Sequence, residues 1–407
     1  MAATRTEAEA LDATDPLRWL RDEFVIANDG LIYLDGNSLG RLPRRTERRL
    51  SSVVTEGWGS GLVSSWDSWV KDPTDVGDRL GAALLGVSGG QTVVGDSTTI
   101  NLFKLAHAAL DAARGQGVVT DRGNFPTDRY VLAAVARARG ADLRVVDDPS
   151  IYEPRESDGL VSFSAVDYRT GALLDMNDIT ERAHRVGALA LWDLSHAVGV
   201  VPLDLDALGV DMAVGCTYKY LNAGPGAPAF AYVRHDLQAA IDPVIPGWFG
   251  HADRFAMGPD YVPGPGVARL LTGTPDVLGL AAVDEGLRLL SEAGLGALRR
   301  KSLALTDLVM AMVDVIGPEF GLDVVTPRQP EHRGAHVSVR HPQAWEICQA
   351  LRARNVVPDF REPDLLRMCP APAYTRFVDA WDGVRVLGEV VSSGAHRSFP
   401  TDRRPVT

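Results

Sequence analysis

Three residues near the middle of the chain, Asp193, His196 and Lys219, are of types that carry out acid–base and covalent chemistry. Asp193 follows the apolar segment ALALW, and Lys219 lies between the apolar run VDMAVGCTY and the glycine-rich YLNAGPG. This pattern predicts that both residues stand at the carboxyl ends of strands, where open parallel sheets bind their ligands. A lysine buried at such a place can form an imine with an aldehyde.

Each of these residues also has an ordinary structural explanation. Asp193 could cap a turn or a helix, His196 could be a buried structural histidine, and Lys219 could lie on the surface. Their combination favours pyridoxal phosphate (PLP) chemistry, which needs a lysine for the aldehyde and a carboxylate that keeps the pyridine nitrogen protonated. Twenty-six residues separate Asp193 from Lys219, which is enough for one crossover between two strands of a sheet.

The elements that must position these residues alternate between apolar strands and helices. This rhythm runs from about residue 91 to residue 233 and predicts an α/β fold, with a mainly parallel sheet covered by helices on both faces. A helix is expected to begin near Thr99, after the strand in GQTVVGD. Its first N–H groups and the positive end of its dipole would face an anion.

After residue 233 the sequence no longer alternates between apolar strands and helices. A proline- and glycine-rich stretch at 243–266 predicts a long functional loop, and the following helices lead into a compact α+β region. We therefore expect an N-terminal segment that contributes to the small domain and the active site, a large PLP-binding domain, a small α+β domain and a disordered tail. Their bounds are 1–45, 46–290, 291–393 and 394–407.

Composition limits the partners and the compartment. The net charge is −12, which argues against nucleic acid or an anionic membrane as a partner. The three cysteines offer no pair spaced for a zinc or redox motif, and we expect no metal site. The first twenty residues carry acids where a signal peptide needs a basic start, and no apolar run is long enough to span a membrane. We expect a cytoplasmic enzyme with a small-molecule substrate.

Several motifs resemble the kynureninase family of fold-type I, class V aminotransferase-like PLP enzymes. They are WDLSHAVG, CTYKYLNAGPG and GWFGH, together with LDGNSLG, NFPTD and RMCPAP. The resemblance extends from about Asp12 to Ser393. It implies PLP-dependent hydrolysis of L-kynurenine or 3-hydroxy-L-kynurenine to anthranilate or 3-hydroxyanthranilate and L-alanine, in tryptophan catabolism and NAD biosynthesis.

The resemblance also implies a set of cofactor contacts. Lys219 would bind PLP covalently, Asp193 would pair with the pyridine nitrogen, and His196 would lie beside the ring. Phe125 would stack on the ring face. Further implied contacts are Asp128, Ser164, the phosphate ligands Thr98, Thr99 and Tyr218, and, from the neighbouring subunit, Trp248 and Thr274. The last two imply a homodimer with shared active sites.

The remaining implied roles concern catalysis and the substrate. The residues implied in catalysis are Lys219, Asp193 and Tyr218. Arg367 would bind the α-carboxylate of the amino-acid substrate, a task that suits a guanidinium group. Ser38 and Asn37 would border the aromatic end of the substrate.

Two other functions stay open at this point. One is another class V-type PLP enzyme, such as a cysteine desulfurase or an aminotransferase. A desulfurase needs a thiolate on a mobile loop, whereas Cys216 lies in a strand approach and Cys369 closely follows Arg367. The other is a non-catalytic PLP-binding regulator, which would normally bring a DNA-reading domain and a basic surface.

Overall fold

The computed structural model describes residues 4–402. The α-helices are α1 Arg5–Thr14, α2 Arg44–Ser52, α3 Trp66–Trp69, α4 Asp72–Leu80, α5 Thr98–Ala112, α6 Pro126–Arg139, α7 Met176–Arg185, α8 Val277–Ala293, α9 Leu295–Phe320, α10 Ala344–Arg352 and α11 Phe377–Ser392. The strands are β1 Ile32–Tyr33, β2 Thr92–Val94, β3 Gly117–Asp121, β4 Leu143–Val146, β5 Asp158–Ser164, β6 Leu189–Asp193, β7 Met212–Gly215, β8 Phe230–Val233, β9 Asp323–Val324, β10 Val337–Arg340, β11 Val356–Val357, β12 Asp359–Arg361 and β13 Leu365–Met368. Short π-helical segments follow α2 and α4, at Val53–Gly61 and Gly81–Leu85.

A seven-stranded sheet forms the centre of the molecule, in the order β2-β8-β7-β6-β5-β3-β4. All neighbouring pairs from β7 to β4 are parallel, and β8 runs antiparallel to both β2 and β7. The predicted mainly parallel sheet is therefore confirmed. Its register places Ser164 beside Asp193 and Asp193 beside Val214, so the ends of three strands meet at one edge.

Helices cover both faces of this sheet because alternate residues of each strand point to opposite sides. On β6, Leu191 packs with residues of α5 and α6, whereas Ala190 and Trp192 pack with residues of α7 and α8. Full burial of an aliphatic or aromatic side chain contributes roughly 1.5–3 kcal/mol. These two apolar layers hold the strand ends in fixed positions.

A second, antiparallel sheet has the order β12-β13-β10-β9 and packs against α9, α10 and α11. The N-terminal segment joins this part of the molecule through the parallel pair β1–β11. The division of the chain into domains stays a prediction.

The predicted disordered tail from residue 394 is wrong for its first residues. Ala395–Ser398 form a 3-10 helix, and His396 is buried there, with its ring nitrogens within hydrogen-bond distance of the Val390 carbonyl and the Gln343 side chain. The rest of that prediction, from residue 403, lies outside the described residues.

Within residues 4–402, no helix has both the length and the apolar character needed to cross a bilayer.

Candidate functional site

A cavity of about 220 Å³ opens at the carboxyl edge of the large sheet. The sequence-predicted residues that line it are Thr98, Thr99, Phe125, Asp128, Ser164, Asp193, His196, Tyr218 and Lys219. They come from five separate stretches of chain, which meet because parallel strands end at a common edge. The cavity is therefore where covalent, acid–base and anion-binding groups converge.

Lys219 and His196 are in direct contact, with 2.9 Å between Lys219 Nζ and His196 Nε2. Burial, and next the charge of Lys219, lowers the pKa of His196 well below its ordinary value. The imidazole is therefore neutral at physiological pH. Since a lysine ammonium can only donate, Nε2 accepts its hydrogen bond. His196 thus fixes the position of the amine in the cavity.

Asp193 and Asp128 form a buried carboxyl pair in the lining of the cavity. Asp193 Oδ1 accepts a hydrogen bond from the backbone N–H of Ser195 at 2.7 Å. Asp128 lies in the first turn of α6, and its pKa is raised well above the ordinary value, by burial first and then by Asp193. Two adjacent buried carboxyl groups resist a second negative charge. The pair therefore suits a ligand that brings an N–H with positive charge.

The beginning of α5 forms one side of the cavity. Ser97 caps this helix by accepting from the N–H of Ile100 at 3.3 Å, and Thr98 and Thr99 line the cavity. The first N–H groups of a helix carry a partial positive charge and have no partner inside the helix. A phosphate group suits this position.

Phe125 presents an accessible ring to the cavity, with 39% of its surface exposed. The turn that carries it is fixed by Asn124, whose Oδ1 accepts from the Phe125 N–H and from the Ser164 hydroxyl, both at 2.7 Å. Tyr168 lines the same cavity and meets Phe125 edge to face, with 5.2 Å between ring centres. Tyr168 was missed from the sequence, although it lies just beyond β5, in the stretch VDYRTG.

Tyr218 and Cys216 line the cavity beside the lysine. Burial, followed by the Cys216 thiol, raises the pKa of the Tyr218 hydroxyl, so it stays protonated and can act as a donor. Burial also raises the pKa of the Cys216 and Cys369 thiols, that of Cys369 to about 12. Neither thiol is poised as the thiolate that a desulfurase requires.

Two predicted cofactor contacts do not reach the cavity within one chain. Trp248 packs edge to face on Phe249, with 4.9 Å between ring centres, and is 38% exposed. Thr274 is exposed in the segment before α8.

None of the three predicted substrate-binding residues is on the lining of the cavity. Arg367, on β13, is almost fully buried and donates to the Tyr168 carbonyl at 2.5 Å and to Ser38 Oγ at 3.3 Å. It also forms an ion pair with Asp359 of β12. Asn37 is fully buried, and its side-chain amide has no hydrogen-bond partner among residues 4–402.

Sequence reasoning missed Asp359 and a second histidine, His336. His336 is buried with 5.7 Å between its ring centre and that of His196, and neither ring nitrogen has a partner in the described part of the chain. Asp359 could have been found, because Asp359 and Arg367 have opposite charges on two consecutive predicted strands. His336 carried no such signal.

Comparison with known proteins gives relatives along nearly the whole chain. Residues 298–387 match the family model described as the kynureninase C-terminal domain. The chain is 43% identical over 406 residues to a kynureninase of Burkholderia pseudomallei strain K96243, with 97% of each chain covered. It is 44% identical over 399 residues to a kynureninase of Pseudomonas fluorescens, with 95% of each covered.

Solved structures share the fold at low identity. The apo cysteine desulfurase of Thermococcus onnurineus NA1 aligns with a TM-score of 0.78 and 17% identity, over 92% of this chain and 98% of that one. A mutant of C-DES with glycine covalently linked to its PLP cofactor aligns with a TM-score of 0.79 and 17% identity, over 90% and 98%. These likenesses confirm the predicted fold-type I architecture. Because its relatives at 43% and 44% identity extend over almost its full length, the chain belongs to the kynureninase family.

Proposed function

We propose that the chain is a PLP-dependent hydrolase that cleaves the Cβ–Cγ bond of L-kynurenine or 3-hydroxy-L-kynurenine. The products are anthranilate or 3-hydroxyanthranilate and L-alanine. The observation that carries the proposal is the Lys219 amine in the cavity, in contact with His196, in a chain 43% to 44% identical to kynureninases.

The cavity fits PLP at three points. The buried pair Asp128 and Asp193 suits the protonated pyridine nitrogen, and the first turn of α5 suits the phosphate. In the same cavity, the amine of Lys219 suits the aldehyde. When bound, PLP supplies an aldehyde that condenses with amines and a ring that accepts electrons released at the substrate Cα.

The residues around the cavity have separate roles in the proposed reaction. Lys219 holds the cofactor and, once its amine is free, moves the proton at Cα. Neutral His196 accepts from that amine and keeps it aimed into the cavity. Tyr218, protonated at physiological pH, donates its hydroxyl proton to the phosphate or to the substrate during cleavage; its raised pKa supports the role of a donor.

Substrate binding uses the groups beside the cavity. Arg367 binds the α-carboxylate, because a buried guanidinium with an unused N–H is a strong donor for an anion. Ser38 and Asn37 border the aromatic end of the substrate. Trp248 and Thr274 reach the phosphate region from a second subunit, so the active unit is a homodimer.

The proposed reaction and the buried thiols support a pathway and a compartment for the enzyme. We place it in tryptophan catabolism and NAD biosynthesis and in the cytoplasm. The buried free thiols of Cys216, Cys348 and Cys369 are consistent with a reducing compartment.

The decisive experiment incubates the PLP-loaded protein with L-kynurenine and with its 3-hydroxy analogue and follows the fluorescence of the anthranilate products. We expect turnover of at least one of them, with stoichiometric L-alanine. A PLP-loaded protein that releases no product from either compound would contradict the proposed function. Sulfide release from cysteine would instead indicate a desulfurase.

A further inference from the structure

The ion pair between Arg367 and Asp359 is fixed by the register of the small sheet. Asp359 lies directly opposite Arg367 in the antiparallel pair β12–β13. Arg361, two residues along β12, shares the same face and is 3.0 Å from Asp359. The side chains of Asp359 and Arg367 are 0% and 1% exposed. One buried carboxylate therefore holds two guanidinium groups.

Asp359 is itself held on several sides. Its Oδ1 accepts from the N–H of Phe360 at 2.6 Å, and its Oδ2 accepts from the Ser38 hydroxyl at 3.2 Å. A carboxylate anchored in this way on a short strand has little freedom to move aside. Asp359 is therefore suited to orient the neighbouring guanidinium groups. It is poorly suited to move away from Arg367 when a ligand carboxylate binds there.

Arg367 has unused hydrogen-bond donors although several neighbours fix its position. A guanidinium has five N–H donors. The Tyr168 carbonyl, Asp359 and Ser38 receive three hydrogen bonds from its two terminal nitrogens, and Nε has no partner among residues 4–402. Tyr168 also lines the cavity that contains Lys219. The same contacts that fix Arg367 thus tie it to the wall of the cavity.

We propose that Asp359 is a positioning residue for substrate recognition: by bridging Arg361 and Arg367 it orients the Arg367 guanidinium to receive the α-carboxylate. This inference rests on the proposed function, because it takes the substrate to be an amino acid. Asp359 does not touch the substrate in this arrangement. Its effect is exerted on carboxylate binding and not on the chemistry at Cα.

The test compares two small ligands of the PLP-loaded enzyme, L-alanine and ethylamine, which differ by the carboxylate. Binding of each is measured from the change in cofactor absorbance, for the wild-type protein and for Asp359→Asn. We expect the dissociation constant of L-alanine to rise at least about tenfold, as for a lost hydrogen bond to a charged group, with that of ethylamine unchanged. The KM for kynurenine should rise by a similar factor, with a smaller change in kcat.

The matched control is Asp364→Asn, which makes the same change at the β12–β13 turn. Asp364 is 3.5 Å from Arg340, neither residue lines the cavity, and the variant should keep the wild-type ratio of the two dissociation constants. Removal of one partner of a buried ion pair can prevent folding. Ser38→Ala is therefore the second variant, since this hydroxyl links Asp359 to Arg367, and we expect a smaller loss of L-alanine binding in the same direction.

An unchanged ratio in the folded variants would overturn the inference, and so would tighter L-alanine binding by Asp359→Asn, which would make Asp359 a competitor. Failure of the wild-type enzyme to prefer L-alanine over ethylamine would also overturn it. The binding measurements need no turnover. Absence of kynurenine hydrolysis would therefore contradict the proposed function while leaving this test valid.

Discussion

The turn that carries Phe125 begins with a buried acid, Asp121. We predict that this residue makes the free energy of unfolding depend on pH. Asp121 ends β3 and is 6% exposed. Burial first, and then the neighbouring carboxylate of Asp167, raises its pKa from 3.8 to about 6, although backbone N–H groups of the turn partly offset the rise. The folded protein therefore holds this proton more tightly than the unfolded chain does.

The sign and size of the effect follow from this rise of about two pKa units. At pH values well below 3.8, Asp121 is protonated in both states and does not change the free energy of unfolding. Between about pH 4 and pH 6 the unfolded chain loses the proton first, so the folded state loses stability. Each unit corresponds to about 1.4 kcal/mol, so the full cost above pH 6 is about 3 kcal/mol.

Asp121→Asn should remove this cost, because an amide oxygen can still accept the hydrogen bonds of the turn but carries no charge. We expect the variant to exceed the wild type in free energy of unfolding by about 1 kcal/mol near pH 4.5 and by about 3 kcal/mol near pH 7.5. Urea denaturation of the cofactor-free protein at the two pH values measures the difference.

The control is Asp147→Asn, since Asp147 has an 84% exposed side chain on the next strand connection. It should change stability by no more than about 0.5 kcal/mol at either pH. A difference between Asp121→Asn and wild type that is the same at both pH values would refute the reasoning. A variant less stable than wild type at neutral pH would refute it as well.

Three further variants test the proposed cofactor and substrate contacts. Lys219→Ala should lose the absorbance band of the lysine-bound cofactor and all measurable turnover; a persistent band would contradict the role of the lysine. Asp128→Asn should raise the stability of the cofactor-free protein near neutral pH, because Asp128 has a raised pKa. The same variant should bind PLP roughly tenfold less tightly, measured by titration with the cofactor. Arg367→Lys should raise the KM for kynurenine about tenfold or more, since an ammonium cannot replace the guanidinium fork; an unchanged KM would exclude Arg367 from substrate binding.

Part of the fold and site could be predicted because the signals are local. Apolar strands alternating with helices predict a parallel sheet, and a polar residue at the end of such a strand falls at the ligand-binding edge. Asp193 and Lys219 were predicted in this way, whereas Ser164 was predicted only from the family resemblance. The start of α5 at Thr98, one residue from the expected position, also follows from a local capping pattern.

The remaining features depend on contacts between distant residues. The Asp128–Asp193 pair and the neutral state of His196 depend on residues that no local pattern relates. The turn at Ala395–Ser398 is ordered because His396 lies against α10 and α11, although its composition predicted disorder. The sequence by itself thus determined the alternation of strands and helices and the positions of Asp193 and Lys219 near strand ends, because these follow from local apolar periodicity. Only the tertiary structure decided which charges are buried together, since burial and pairing are properties of the packed chain.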